Sequence, residues 1–262
     1  GVGNEIASER KMVRKYIVDS VVYLAETYKL DGFRFDLMGI LDLETMNEIN
    51  SKLREINPDI VLLGEGWDMG NHPKEIRSAQ TNAFKMPNIA TFNDDLRDGV
   101  KGSAFDGDAI GFVNGEDNEE RLFNQIKTQK SVNDYKFYDN PRQLIQYTEA
   151  HDNKTSWDKI KEIYPNEDDA ITLKRQRLAT TIPLLSQGVP FIHAGQEFAR
   201  TKEGNENSYN ASAEINELDW LRAEKYKNNV DYIREIIAIR KNEPLFWSET
   251  FDQVNSRIHK IV

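Results

Sequence analysis

Apolar positions along this chain recur in two alternating rhythms. Between residues 9 and 29, Met12, Tyr16, Ile17, Val21, Leu24 and Tyr28 fall mostly at three- and four-residue steps. That spacing predicts an amphipathic helix with those side chains inward. After a short turn, Gly32–Asp36 alternates: Phe33 and Phe35 share one face of a predicted buried strand, Arg34 and Asp36 the other. Asp42 then suits a helix cap, and Leu43, Met46, Ile49, Leu53 and Ile56 form a second stripe, stopped by Asn57-Pro58-Asp59. A strand at Ile60–Gly64 follows. Helix, strand, helix, strand predicts a parallel α/β sheet.

The rhythm continues less tidily. Short strands are predicted at 90–93, 143–147 and 188–195, and helices around Leu122, Phe123 and Ile126, over 169–186, and around Val230, Ile233 and Ile237. In the 169–186 helix Leu178, Ile182 and Leu185 are expected inward, with Pro183 weakening the last turn. Residues 66–90 and 100–118 are rich in Gly, Asn and Asp, the composition of irregular loops that carry function. An eight-stranded α/β barrel takes about 250 residues, and these 262 yield about five strand–helix units. The expectation is the later part of a TIM-type (β/α)8 barrel, with open strand edges that need a partner. The chain opens on Gly1 rather than Met, which agrees with missing N-terminal strands.

Composition narrows the partners. Lys and Arg number 34 and Asp and Glu 44, so the net charge is 34 − 44 = −10. That balance disfavours nucleic acid and anionic membrane and suits a neutral polymer such as a glucan. With no cysteine, neither disulfides nor a thiolate metal site can form. No apolar run has membrane length and no signal peptide is evident, which leaves the cellular address open.

The chemistry concentrates in three segments. Gly32-Phe33-Arg34-Phe35-Asp36-Leu37-Met38-Gly39 and Gly64-Glu65-Gly66-Trp67-Asp68 each place a carboxylate at a strand's end, where barrel active sites are built. Glu149-Ala150-His151-Asp152-Asn153-Lys154-Thr155 does so again. Paired carboxylates are the equipment for glycosidic cleavage. A retaining enzyme holds them about 5–5.5 Å apart, one ionised and one protonated. Arg34 beside Asp36 is expected to favour its charge, and Glu65 beside Trp67 to keep its proton.

These segments, in this order, resemble three of the four signature regions of the α-amylase superfamily of glycoside hydrolases, with wording closest to the type I pullulanases. Asn4–Glu9 and Arg200–Asn210 extend the resemblance over nearly the whole chain. It implies Asp36 as nucleophile, Glu65 as general acid/base, Asp152 as transition-state stabiliser, and Arg34 and His151 as holders of the reacting glucose and the nucleophile. Trp67, Asn207 and Tyr209 are implied as substrate contacts. The fold implied is the fourth to eighth barrel strands over residues 1–245, with 246–262 starting the following region. The implied reaction is retaining hydrolysis of α-1,6-glucosidic linkages in pullulan, amylopectin and limit dextrins.

Two departures stand out. The signature with an Asp, an Asn and a His should precede residue 1, so the chain alone is expected to be inactive, its missing N-terminal part being the partner. Residues 148–150 read Thr-Glu-Ala, where relatives commonly have Val-Glu-Ser. The alternatives are isoamylase, glycogen debranching enzyme, an α-1,4-acting amylase, or a non-catalytic glucan-binding remnant. No organic cofactor is implied. Asp94, Asp95 and Asp98 read as a solvated turn rather than a metal cluster; calcium is compatible with them but not derivable. His193 and Glu197 divide evenly between structural and supporting roles.

Overall fold

A computed structural model describes residues 4–128 and 137–261. The first elements are α1 (Lys11–Tyr28), β1 (Gly32–Phe35), α2 (Leu43–Ile56), β2 (Val61–Gly64), β3 (Ile89–Phe92), α3 (Asp94–Lys101) and α4 (Glu119–Ile126). After them come β4 (Leu144–Gln146), α5 (Ser156–Ile163), α6 (Asp169–Leu184) and β5 (Val189–Pro190). The chain closes with α7 (Ala213–Asn216), α8 (Trp220–Lys225), α9 (Lys227–Asn242) and α10 (Phe251–Arg257). The five strands hydrogen-bond in chain order, β1-β2-β3-β4-β5, and the pairings from β1 to β4 are parallel. An α/β protein with a parallel sheet is therefore what the sequence forms. Among the described residues no helix is long and apolar enough to cross a membrane.

The chain divides into two compact units, Gly1–Phe92 with Asp134–Ile145, and Asn93–Asn133 with Gln146–Val262. In the first, Met46, Ile49 and Leu53 of α2 are buried with Val18, Val21 and Ala25 of α1, Ile60 just before β2, Leu62 of β2 and Ile89 of β3. Burying each large aliphatic of this kind contributes about 2 kcal/mol. The stripe on α2 is as its spacing predicts, except that Ile56 is partly exposed. Asp42 caps the helix, accepting from Thr45 N at 3.0 Å.

The face of α1 differs from the one expected. Its buried positions are Arg14, Val18, Val21 and Ala25, whereas Met12, Tyr16 and Tyr28 are exposed. The cause is polar. Arg14 turns inward to pair with Asp42 at 3.1 Å and to donate to Thr45 Oγ1 at 3.1 Å. Val18, Val21 and Ala25 share that side, and such compact side chains permit close helix contact. Burial works against ionised Asp42, but hydrogen bonds from Ser8 and Thr45 and the Arg14 charge outweigh it and hold the carboxyl below its ordinary range.

The second unit begins on a polar seam. Asn93 donates to Gln125 Oε1 at 2.9 Å and to Gln146 Oε1 at 2.8 Å, while its own oxygen caps α3 through Leu96 N. Asp94 and Asp95 therefore lie in the first turn of a helix, not in a turn of their own, and Asp98 pairs with Arg97 at 2.7 Å. Acidic groups at a helix start are stabilised by its dipole. The same logic holds at α6, where Asp168 caps through Ala170 N. That helix buries Thr172, Gln176, Ala179 and Thr180, while Leu178 is exposed, contrary to its predicted phase. Gln176 takes an inward position because it donates to Gln196 O at 2.6 Å and accepts from Asn229. Helix α5, capped by Thr155, was not foreseen, and β5 is only two residues long.

Candidate active site

In the first unit the ends of β1 and β2 are stitched together by backbone bonds. Glu65 N donates to Phe35 O at 3.1 Å, and Gly39 N returns to Glu65 O at 2.9 Å. Gly39 fits because a Cβ there would stand 1.9 Å from Trp67 O; only a residue without one allows the two strand-end loops to lie this close. Asp36 is just past β1 rather than in it, and is exposed, so the predicted buried Arg–Asp strand face is corrected to an open one. Leu37, next along, has a left-handed backbone (φ 46°), uncommon for a non-glycine residue and frequent at functional sites. Its N–H donates to Glu65 Oε2 at 2.8 Å.

Arg34 is the hub. One guanidinium nitrogen pairs with Asp36, and the other with Glu65 Oε1 at 2.6 Å. Its plane lies 5.8 Å from the Phe92 ring centroid, on β3. An oxygen of Asp36 and one of Glu65 are within 4.8 Å of each other. Asp36 keeps 63% of its side-chain surface open and Glu65 only 9%. The arginine therefore serves both carboxylates, not Asp36 alone. Charged and N–H partners, rather than an apolar wall, hold the Glu65 carboxyl. Trp67 follows two residues later, half-buried.

In the second unit, His151 and Asp152 follow β4, with His151 Nε2 and Asp152 Oδ1 at 3.4 Å and both side chains more than half exposed. The backbone around them rests on buried charges. Glu149, 2% exposed, accepts from Ser156 N at 2.6 Å and lies 3.4 Å from His193 Nδ1. Burial works against its ionised form, but His193, Lys101 and the Ser156 N–H outweigh that and hold the carboxyl below its usual range. His193 is thus a supporting residue; its Nε2 lies 3.2 Å from Arg200. Glu197 accepts from Gly195 N at 3.1 Å, a local loop contact. Asn207 and Tyr209 lie on an exposed loop before α7. Asn207 N donates to Asn205 Oδ1, and Tyr209 is 79% exposed.

Arg34, Asp36 and Glu65 are thus brought together in one unit, and His151 with Asp152 in the other. Sequence reasoning passed over Lys101 and Lys202, which are 2% and 1% exposed. Lys202 lies in the Arg200–Asn210 segment singled out above, but only its burial distinguishes it from a surface lysine.

A parallel α/β sheet whose strand ends carry an arginine-bridged carboxylate pair belongs to the class of α/β proteins that build sites at strand ends, and such a pair is the equipment that glycosidic cleavage uses. Comparison with known proteins gives the family. No protein-family model matches the chain. Over 249 residues, however, it is 49% identical to the pullulanase of Bacillus subtilis (strain 168), covering 94% of this chain and 35% of that protein. It superimposes on the crystal structure of a pullulanase from Anoxybacillus sp. LM18-11 complexed with maltotetraose with a TM-score of 0.94 and 46% identity, over 99% of this chain and 38% of that one. A pullulanase from Paenibacillus barengoltzii, in complex with maltohexaose and α-cyclodextrin, gives a TM-score of 0.93 over 97% of this chain and 40% of its own. The chain belongs to the pullulanase family of glycoside hydrolases, and spans between a third and two fifths of the length of these relatives.

Proposed function

We propose that this chain is the acid-bearing part of a debranching enzyme that cleaves α-1,6-glucosidic linkages in pullulan, amylopectin and limit dextrins with retention of configuration. The observation that carries this is Arg34 joining Asp36 and Glu65 in a chain 49% identical to a pullulanase. The sugars in the related crystal structures are glucose oligomers, which supports an α-glucan substrate. On this reading residues 1–245 form the fourth to eighth strand–helix units of a (β/α)8 barrel and 246–262 start the next region. The parallel sheet in chain order supports that assignment.

The roles follow from the chemistry. Asp36, open to solvent, attacks the anomeric carbon as a carboxylate. Glu65 gives its proton to the glycosidic oxygen as the C–O bond breaks, leaving the sugar esterified to Asp36. Glu65 then takes a proton from water, which attacks the ester and releases the sugar. The carboxyl separation fits this two-step course rather than the wider gap that a one-step water attack requires. Asp152 stabilises the developing positive charge, and Arg34, His151, Trp67, Asn207 and Tyr209 hold the sugar chain.

The test is product analysis on pullulan with the full-length enzyme carrying this segment. Maltotriose as sole trisaccharide supports the proposal; panose-type products mean α-1,4 cleavage and refute it. Glu65→Gln should lower kcat by about 10²–10⁴ with pullulan. It should lose far less with an activated aryl glycoside, whose leaving group needs no proton. Equal losses on both substrates would remove Glu65 from the acid role.

A further inference from the structure

We propose that Lys101 and Lys202 are positioning residues, two buried ammonium groups that clamp the backbone of the Asp152 loop on either side of the acid. The inference rests on the reading of Asp152 as a group that works on the sugar. Lys202 Nζ donates to His151 O at 2.9 Å, one residue before Asp152. Lys101 Nζ donates to Lys154 O at 2.8 Å, two residues after it. Between them Asn153 holds a left-handed backbone (φ 61°), which asparagine adopts more readily than other non-glycine residues.

Lysine is almost never fully buried, because removing an ammonium from water costs several kcal/mol. Filling space does not explain two such groups on one nine-residue loop, 147–155, since methionine would fill it at lower cost. What they supply is direction. Each has its long stem locked by packing and one donor aimed at a carbonyl of the same loop. Glu149 is the charge they share, attracting both while its own oxygen ties the loop's exit through Ser156 N. Lys202 is fixed in turn, since its backbone N–H donates to Asp158 Oδ2 at 2.8 Å and the neighbouring Thr201 hydroxyl donates to Asp158 Oδ1. Asp158 sits in α5, directly after the loop. The loop is therefore referenced to its own helix and to two buried cations. Burial draws the Lys101 amine down to about 8 against the pull of Glu149, a measure of how dry its surroundings are.

The test is a double-mutant cycle in the full-length enzyme that carries this segment. Lys202→Met should lower kcat about 30- to 100-fold with KM changed less than about threefold, the loss expected when a catalytic group shifts by about 1 Å. In an Asp152→Asn background, assayed on an activated aryl maltoside, the same change should cost less than about twofold, because the group it positions is already gone. Equal loss in both backgrounds, or full kcat in Lys202→Met, overturns the proposal. Lys101→Met is read in the same way, and if either methionine variant fails to fold, Lys→Gln at that site keeps one donor and is read instead. Amide exchange over 151–156 should accelerate in each lysine variant relative to wild type; unchanged exchange overturns the clamp. If Asp152→Asn retains near-normal kcat, the reading of Asp152 fails, and the exchange result still decides whether the lysines hold its loop.

Discussion

Adding one methyl group at Gly39 should separate the two halves of the carboxylate pair. The new Cβ would sit 1.9 Å from Trp67 O and 2.9 Å from Trp67 C. A carbon settles against a carbonyl oxygen at about 3.3 Å, so the Glu65–Trp67 loop has to retreat by about 1.4 Å. Both contacts are backbone, so no side-chain rotation relieves the clash. The Gly39 N–H to Glu65 O bond goes with it, and Glu65 moves away from Arg34 and Asp36. Overpacking of this kind costs about 1–3 kcal/mol, and with the lost hydrogen bond about 2–4 kcal/mol. A displacement of about 1 Å at a reacting group costs about a hundredfold in rate, or about 2.7 kcal/mol of barrier. The assay compares kcat on pullulan and the denaturation midpoint for Gly39→Ala and Gly99→Ala. Gly99 lies in α3, where an added Cβ meets nothing closer than 3.8 Å, so the same chemical change there should stabilise by up to about 1 kcal/mol. A Gly39→Ala enzyme within about threefold of normal kcat and with unchanged stability would refute the claim that backbone proximity sets the acid geometry.

Two further outcomes are expected. Asp42→Ala removes a helix cap and leaves the buried Arg14, among the described residues, with the exposed Glu44 as its remaining ion-pair partner, costing about 3 kcal/mol at pH 7 by urea denaturation. Because folding holds the Asp42 carboxyl below its ordinary value of 3.8, its stabilisation is complete above that pH and disappears as pH falls through the folded value. The gap between wild type and variant should therefore narrow below pH 4, and a gap that widens on acidification contradicts the sign. The 262-residue chain by itself, spanning about a third of its relatives, should release no maltotriose from pullulan in a reducing-sugar assay, and steady turnover would disprove this.

Short-range rules made much of this fold readable. The positions of the first four strands, the Asp42 cap and the parallel order follow from local spacing and turn chemistry. Helix phase was harder to read. On α1 and α6 the apolar positions Met12, Tyr16 and Leu178 are exposed, while Arg14 turns inward to Asp42 and Thr45, and Gln176 to Gln196 and Asn229. A pattern that scores hydrophobicity cannot see a polar group buried with its partner, because the partner lies many residues away. The same blindness hid Lys101 and Lys202, since a lysine near a helix end or in a loop looks like surface. Asp36 and Glu65 stood out because each directly follows a strand inside a recognisable motif, and Asp152 because its motif follows β4 at a distance of six residues.

The sharing of Arg34 has a consequence for how one site runs two opposite steps. On the proposed roles, Asp36 is charged and Glu65 protonated when substrate arrives. Once the sugar is esterified to Asp36, that carboxyl is neutral and Glu65 is the one charged. The pair carries a single negative charge throughout, but the charge changes residue. A cation beside Asp36 alone would favour the first step and oppose the second. Arg34, with one nitrogen on each carboxylate, faces the charge at either address without moving. Its planar fork suits this task, whereas lysine, a single point of charge, would have to choose. The buried lysines of the second unit follow the opposite design, each fixed on one carbonyl, as a group that must hold still requires.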